Sequence, residues 1–179
     1  TLPRKFKIAV EGCEHDCAQC PINDIGAYAK MRDGKPGFSL WAGGGLGAQP
    51  FLAKPLVDFI PAEDLLIWCE AVVRVQHRYG ERKNRMRARM KYVVQKMKLE
   101  GFRKVCEDEV ARVTADCGAE LRQDVREMVA AYRAPSPAAS LPAVAAEMPG
   151  FAHWKRTNAR PERQAGYRSA VVQLPLGDV

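Results

Sequence analysis

The chain has 179 residues, 47% of them hydrophobic, which is enough to bury a core and to form one domain with part of a second. No stretch reaches the run of about 18 apolar residues that spans a bilayer, and no charged-then-apolar leader precedes a cleavage site, so a membrane protein is excluded and a cytoplasmic location is expected. The net charge of +7 points to an anionic partner, and six cysteines, three clustered and three scattered, do not resemble a secreted disulfide framework.

Residues 5–12, KFKIAVEG, read as a strand, IGAYAKM as a second, RDGKP as a turn, and GFSLWAGGG as a third strand ending in glycines. Within the first, alternation sets Lys5 and Lys7 on one face and Arg4 on the other. Two ammonium groups pointing the same way repel unless an anion lies between them, although lysines on a solvated strand edge also discourage unwanted pairing.

Between the first two strands, EGCEHDCAQCPIND spaces Cys13, Cys17 and Cys20 as CxxxCxxC, a pattern that grips iron-sulfur clusters in radical enzymes. Context opposes that reading, because Gln19 stands where those enzymes place an aromatic and the alternating strands and helices of their barrel are missing. A structural zinc site is short of a fourth ligand, although His15 lies nearby. The glycine run AGGGLGAQP satisfies GxGxxA at Gly43, Gly45 and Ala48, yet Pro50 and Pro55 oppose the helix that a dinucleotide loop requires. It reads as a flexible turn whose glycines also let backbone approach a flat ligand closely.

Pro61, Glu63 and Asp64 open a helix that carries Leu65, Trp68, Cys69, Val72 and Tyr79 on one face and stops at Gly80. A second helix is expected over residues 83–97, with Met86, Met90, Val93 and Met97 as its core stripe. On that wheel Arg85, Arg89 and Lys96 flank the stripe and could line a site, whereas Arg87, Lys91 and Lys98 point to solvent. A third helix runs through Phe102, Cys106, Val110 and Val113, and a fourth through Leu121, Val125, Met128 and Tyr132. Pro/Ala-rich residues 134–150 form a connector, after which Ala170, Val172, Leu174 and Leu176 alternate as a final strand. The fold class expected is α+β, a small, mainly antiparallel sheet packed with helices. With no initiating methionine and a last strand that has nothing after it to pair with, the chain reads as a piece of a longer polypeptide.

Taken in order, LPRKFKIAVEGCEHDC, NDIG, GFSLWAGGGLG, PAEDLLIWCEAVVRVQHRYG and NRMRARMKYVVQKMKLEGFR resemble the first repeat of the siroheme-containing nitrite and sulfite reductases. The resemblance implies a half-domain of that family over residues 1–113, a helical extension over 114–133, the connector over 134–150, and the start of a second ferredoxin-like segment over 151–179. It implies siroheme coupled to a 4Fe-4S cluster in the full-length enzyme, with the cluster's cysteines in the other half of the polypeptide and neither group bound by this piece alone. Cys13 and Cys17 then look like a counterpart of one ligand pair without a cluster. Lys5 and Lys7 would face sulfite or nitrite and help deliver protons, while Arg4 and Arg89 would meet tetrapyrrole carboxylates. Asn23, Gly44, Gly45 and Arg85 are the further candidates for cofactor contact. Plant-type nitrite reductases tend to carry asparagine at the position of Lys7, which favours sulfite, and a donor such as ferredoxin is implied. The competing reading is a non-enzymatic nucleic-acid-binding module built on basic residues 82–98, which has no recognisable nucleic-acid fold motif or basic-aromatic platform to support it.

Overall fold

The computed structural model describes residues 2–3, 5–13, 15–131, 148–161 and 166–171. The chain divides into two compact units, Thr1–Ala131 and Tyr132–Val179. Arg4, most of the connector, and Val172, Leu174 and Leu176 of the expected final strand lie outside the described residues.

The first unit is a four-stranded sheet in chain order, β1 (Ile8–Glu11), β2 (Ile25–Arg32), β3 (Lys35–Ala42) and β4 (Lys54–Pro61). β1 runs parallel to β2, while the β2/β3 and β3/β4 pairs are antiparallel. Asp33 and Gly34 both take positive φ, 52° and 73°, as a two-residue turn demands when its twist matches the flanking strands. Ile25, Ala27, Leu40, Ala42, Leu56 and Ile60 turn one side of the sheet into a core.

Helices cover that side. α1 (Leu65–Tyr79) begins after a 3-10 turn at Ala62–Asp64 and ends at Gly80, close to the expected bounds. It is buried on two sides rather than one. Val72 and Val75 meet the sheet, Ile67 and Ala71 meet Val113 of the following helix, and Tyr79, expected on the core face, is exposed. That helix, α2 (Met90–Ala131), is broken by non-helical backbone at Lys98 and Cys117. The breaks fall between the three segments whose periodicity is legible in the sequence. The first of those segments, however, starts at Met90 and not at residue 83. Ahead of it Asn84 accepts the Met86 N–H at 3.0 Å and caps a short 3-10 turn, Arg85–Arg87, which leaves Met86 76% exposed instead of in the core.

In the second unit α3 (Phe151–Asn158), which periodicity did not signal, leads into β5 (Ala159–Pro161), paired antiparallel with β6 (Arg168–Ala170). No helix among the described residues is long and apolar enough to cross a membrane.

Candidate functional site

Asp24, fully buried at the entry to β2, organises the site. One carboxylate oxygen accepts the backbone N–H of Lys7 at 2.9 Å and Arg89 Nη2 at 2.7 Å, and the other accepts Arg89 Nε at 3.0 Å. This two-point pairing fixes the guanidinium plane as well as its position. The carbonyl of Lys7 accepts the Ile25 N–H at 3.1 Å, so the backbone at Lys7 is held on both sides.

The segment before β1 keeps strand-like alternation although it is not part of the ladder. Phe6 is half-buried against the core, whereas Lys5 and Lys7 on either side of it are exposed. Among the described residues neither ammonium group has a hydrogen-bond or ion-pair partner. Arg89 Nη1 is likewise unpartnered among them.

The glycine run lies against this centre, and its close approaches are to the protein's own chain. Gly43 and Gly44 donate their N–H groups to the carbonyls of Asp24 (2.9 Å) and Asn23 (3.0 Å). A Cβ on Gly44 would sit 2.2 Å from the Pro21 carbonyl oxygen, and one on Gly45 would sit 3.1 Å from Arg89 Nη2. The need for glycine is thus met inside the fold. Asn23 is buried, and its side-chain amide donates to the Gln19 carbonyl at 2.7 Å, securing the turn before Asp24.

Lys91 corrects the wheel drawn from residue 83. Rather than pointing to solvent it is buried, with Nζ donating to the carbonyls of Leu46 (3.3 Å), Gly45 (3.5 Å) and Gln49. The Phe51 and Tyr92 rings flank it at 5.6 and 5.2 Å. Burial, with a smaller push from Arg89, holds its pKa below the ordinary lysine value against the pull of Asp24. Arg85 does not join the site; it is exposed on the 3-10 turn. Arg87 and Lys96, expected to point different ways, both line an open cleft of about 930 Å³ together with Lys83, Tyr79 and Tyr92. Of the basic residues 82–98, Arg89 and Lys91 are turned inward, to Asp24 and to the loop carbonyls.

Of the three clustered cysteines the structure brings two together. Cys13 and Cys17 are exposed with their sulfurs 3.8 Å apart, while Cys20 is buried between β1 and β2, its thiol directed at the carbonyls of Ala9 and Ala27. Glu11 stands beside the pair, its carboxylate accepting the N–H groups of Ala18 (2.6 Å) and Cys13 (2.9 Å). Those bonds, with a further one from the Cys13 thiol, hold its carboxyl down to about 2.

Asp24 and Lys91 are the residues of this arrangement that sequence reasoning missed. Asp24 had a signal, since a carboxylate entering a buried strand requires a cation. Lys91 had none, because the loop carbonyls that cover it lie 42 to 46 positions away in the sequence.

Fold and site define an α+β domain in which cations gather around a buried carboxylate and a glycine loop. Residues 1–114 match the family described as nitrite and sulphite reductase 4Fe-4S domain, more than half of the chain, and the chain belongs to that family. It is 41% identical over 110 residues to the sulfite reductase [NADPH] hemoprotein beta-component of Shewanella woodyi, a match covering 57% of this chain and 19% of that one. To the ferredoxin–nitrite reductase of Synechococcus elongatus it is 28% identical over 181 residues, covering 98% of this chain and 30% of that protein. Among solved structures, the Mycobacterium tuberculosis NirA protein is 33% identical with a TM-score of 0.57, over 63% of this chain and 20% of the other. The chain therefore spans less than a third of the length of these relatives.

Proposed function

We propose that this chain is part of a siroheme- and 4Fe-4S-containing reductase that carries sulfite to sulfide, or nitrite to ammonia, with six electrons, and that it supplies the cations around the reacting anion. The observation that carries this reading is the pair of exposed ammonium groups of Lys5 and Lys7, without partners among the described residues, on a backbone anchored to Asp24, where Arg89 is locked. The family and the names of its relatives supply the reaction class.

The donor set suits siroheme and does not suit the cluster. A macrocycle carrying several carboxylates needs fixed cations, and Lys5, Lys7 and the free edge of Arg89 offer them. A four-iron cluster needs four thiolates, whereas Cys13 and Cys17 stand together with Cys20 buried apart from them. The cluster's ligands then come from the remainder of the polypeptide. Siroheme, when bound, would hold the anion and pass to it electrons that originate on the external donor.

The chain's own residues bind and protonate. Each oxygen lost from sulfite or nitrite leaves as water, so protons must be delivered where negative charge accumulates. Lys5 and Lys7 serve both tasks, attracting the anion and donating hydrogen bonds and protons to it. Lysine rather than asparagine at position 7 favours sulfite as the substrate. The basic cleft at Lys83, Arg87 and Lys96 suits an acidic electron donor such as ferredoxin. The test is to purify the full-length polypeptide with its prosthetic groups, record its visible spectrum and assay both anions with an artificial electron donor. Siroheme absorption together with sulfite turnover is expected, and the absence of both overturns the reading.

A further inference from the structure

Glu11, Cys13 and Cys17 take no part in the chemistry proposed above, yet they form a donor set. Each contributes one ligand atom, and the three lie within 4.8 Å of one another at the end of β1. Their arrangement carries dimensional information. Two thiolates bound to one tetrahedral zinc, each about 2.3 Å from the metal, stand about 3.8 Å apart. Cys13 and Cys17 stand at 3.8 Å already. A disulfide would need them to close to about 2.05 Å.

The carboxylate is pre-oriented. Glu11 is 5% exposed, and the Ala18 and Cys13 N–H groups occupy one direction on each oxygen, leaving a lone pair on each for a metal. Both sulfurs are exposed, so an ion can reach the site and a fourth position remains open to water or to His15, which is exposed two residues after Cys13. Two thiolates and one carboxylate match a borderline-soft divalent cation; calcium and magnesium prefer oxygen alone.

We infer that Glu11, Cys13 and Cys17 form a mononuclear site for a zinc-type divalent cation, separate from the prosthetic groups. The bound ion fastens residues 12–19 to the end of β1 and so braces the turn that leads to Asp24. Binding exchanges two thiol protons for the cation, with no change of oxidation state.

The test is titration of the reduced protein with zinc chloride against a competing chelator, which should give one zinc per chain with proton release, and an affinity at least about tenfold weaker in Cys17→Ser and in Glu11→Gln. The unsubstituted protein provides a second readout that does not depend on the variants folding: zinc should slow iodoacetamide alkylation of Cys13 and Cys17 and leave that of Cys117 unchanged. Failure to retain one zinc, or alkylation of the pair that zinc does not slow, overturns the inference, whether or not the protein carries siroheme.

Discussion

Asp24 receives a backbone N–H from Lys7 and the guanidinium of Arg89, and the two contacts give these cations different duties. Lys7 anchors through its main chain, so its ammonium is free for a ligand. Lys7→Asn in the full-length enzyme should therefore lower sulfite turnover by on the order of a hundredfold and raise the ratio of nitrite to sulfite turnover, with the visible spectrum and thermal midpoint retained. Steady-state rates on both anions check this, and an unchanged ratio returns Lys7 to a solvated strand edge. Arg89 anchors through its side chain to a carboxylate with no exposure. Arg89→Ala leaves that charge buried and unpaired and should cost about 3–5 kcal/mol in denaturant unfolding. Arg87→Ala, at an exposed position, should stay within about 0.5 kcal/mol. Equal losses from the two changes would dissolve the distinction. Lysines ahead of a strand are legible from alternation alone, whereas the partner of Arg89 lies 65 positions away and no local pattern reveals it.

At the level of elements, patterns were readable where local chemistry decides the outcome. The Asp33–Gly34 turn fixes the β2/β3 hairpin, and Gly80 ends α1 as expected. β4 has no counterpart in the sequence reading; it is an edge strand, with Pro55 second and Pro61 last in it, and there a missing N–H is tolerated. α2 starts later than its periodicity indicates because Asn84 captures a backbone N–H that a continuous helix would use. The later start removes Met86 from the stripe but leaves the phase of Met90, Val93 and Met97 unchanged; Lys91, beside that stripe, is buried because the loop carbonyls of Gly45, Leu46 and Gln49 close over it. Its ammonium closes the loop between β3 and β4, where Gly45 and Phe51 exchange backbone hydrogen bonds at 2.9 and 3.0 Å. Lys91→Met keeps the length of the side chain and removes the charge, taking the ammonium donor from the Leu46 and Gln49 carbonyls while that of Gly45 keeps the Phe51 N–H. The expected result is a loss of about 1.5–3 kcal/mol and faster amide exchange at Gly45 and Phe51 than at the β2/β3 pairs. Uniform exchange across the sheet would show that Lys91 does not act on the loop.

Across the first unit as a whole, apolar burial joins helices to sheet, but α1 and α2 are also tied to each other by charge. Arg74 reaches Asp116 and Arg78 reaches Glu109 between the helices, Arg122 reaches Asp64 in the turn ahead of α1, and Arg112 reaches Glu109, which is 2% exposed, within α2. Burial pushes the Glu109 carboxyl up, and the two arginines outweigh it, so the net shift is below the ordinary glutamate value. A carboxyl whose pKa is lower folded than unfolded binds protons more readily in the unfolded chain. Its contribution is therefore fully present above the unfolded value near 4.5 and is lost as the pH falls through the lower folded value. Because both arginines are largely solvated, the contribution at neutral pH is about 1 kcal/mol. Glu109→Gln should show that deficit at pH 7 and approach the parent protein as the pH falls from 4.5 through the lower folded value, flattening the acid limb of its stability curve. Urea unfolding across that range measures it, and a deficit independent of pH would mean that Glu109 acts through packing and hydrogen bonding rather than through its charge.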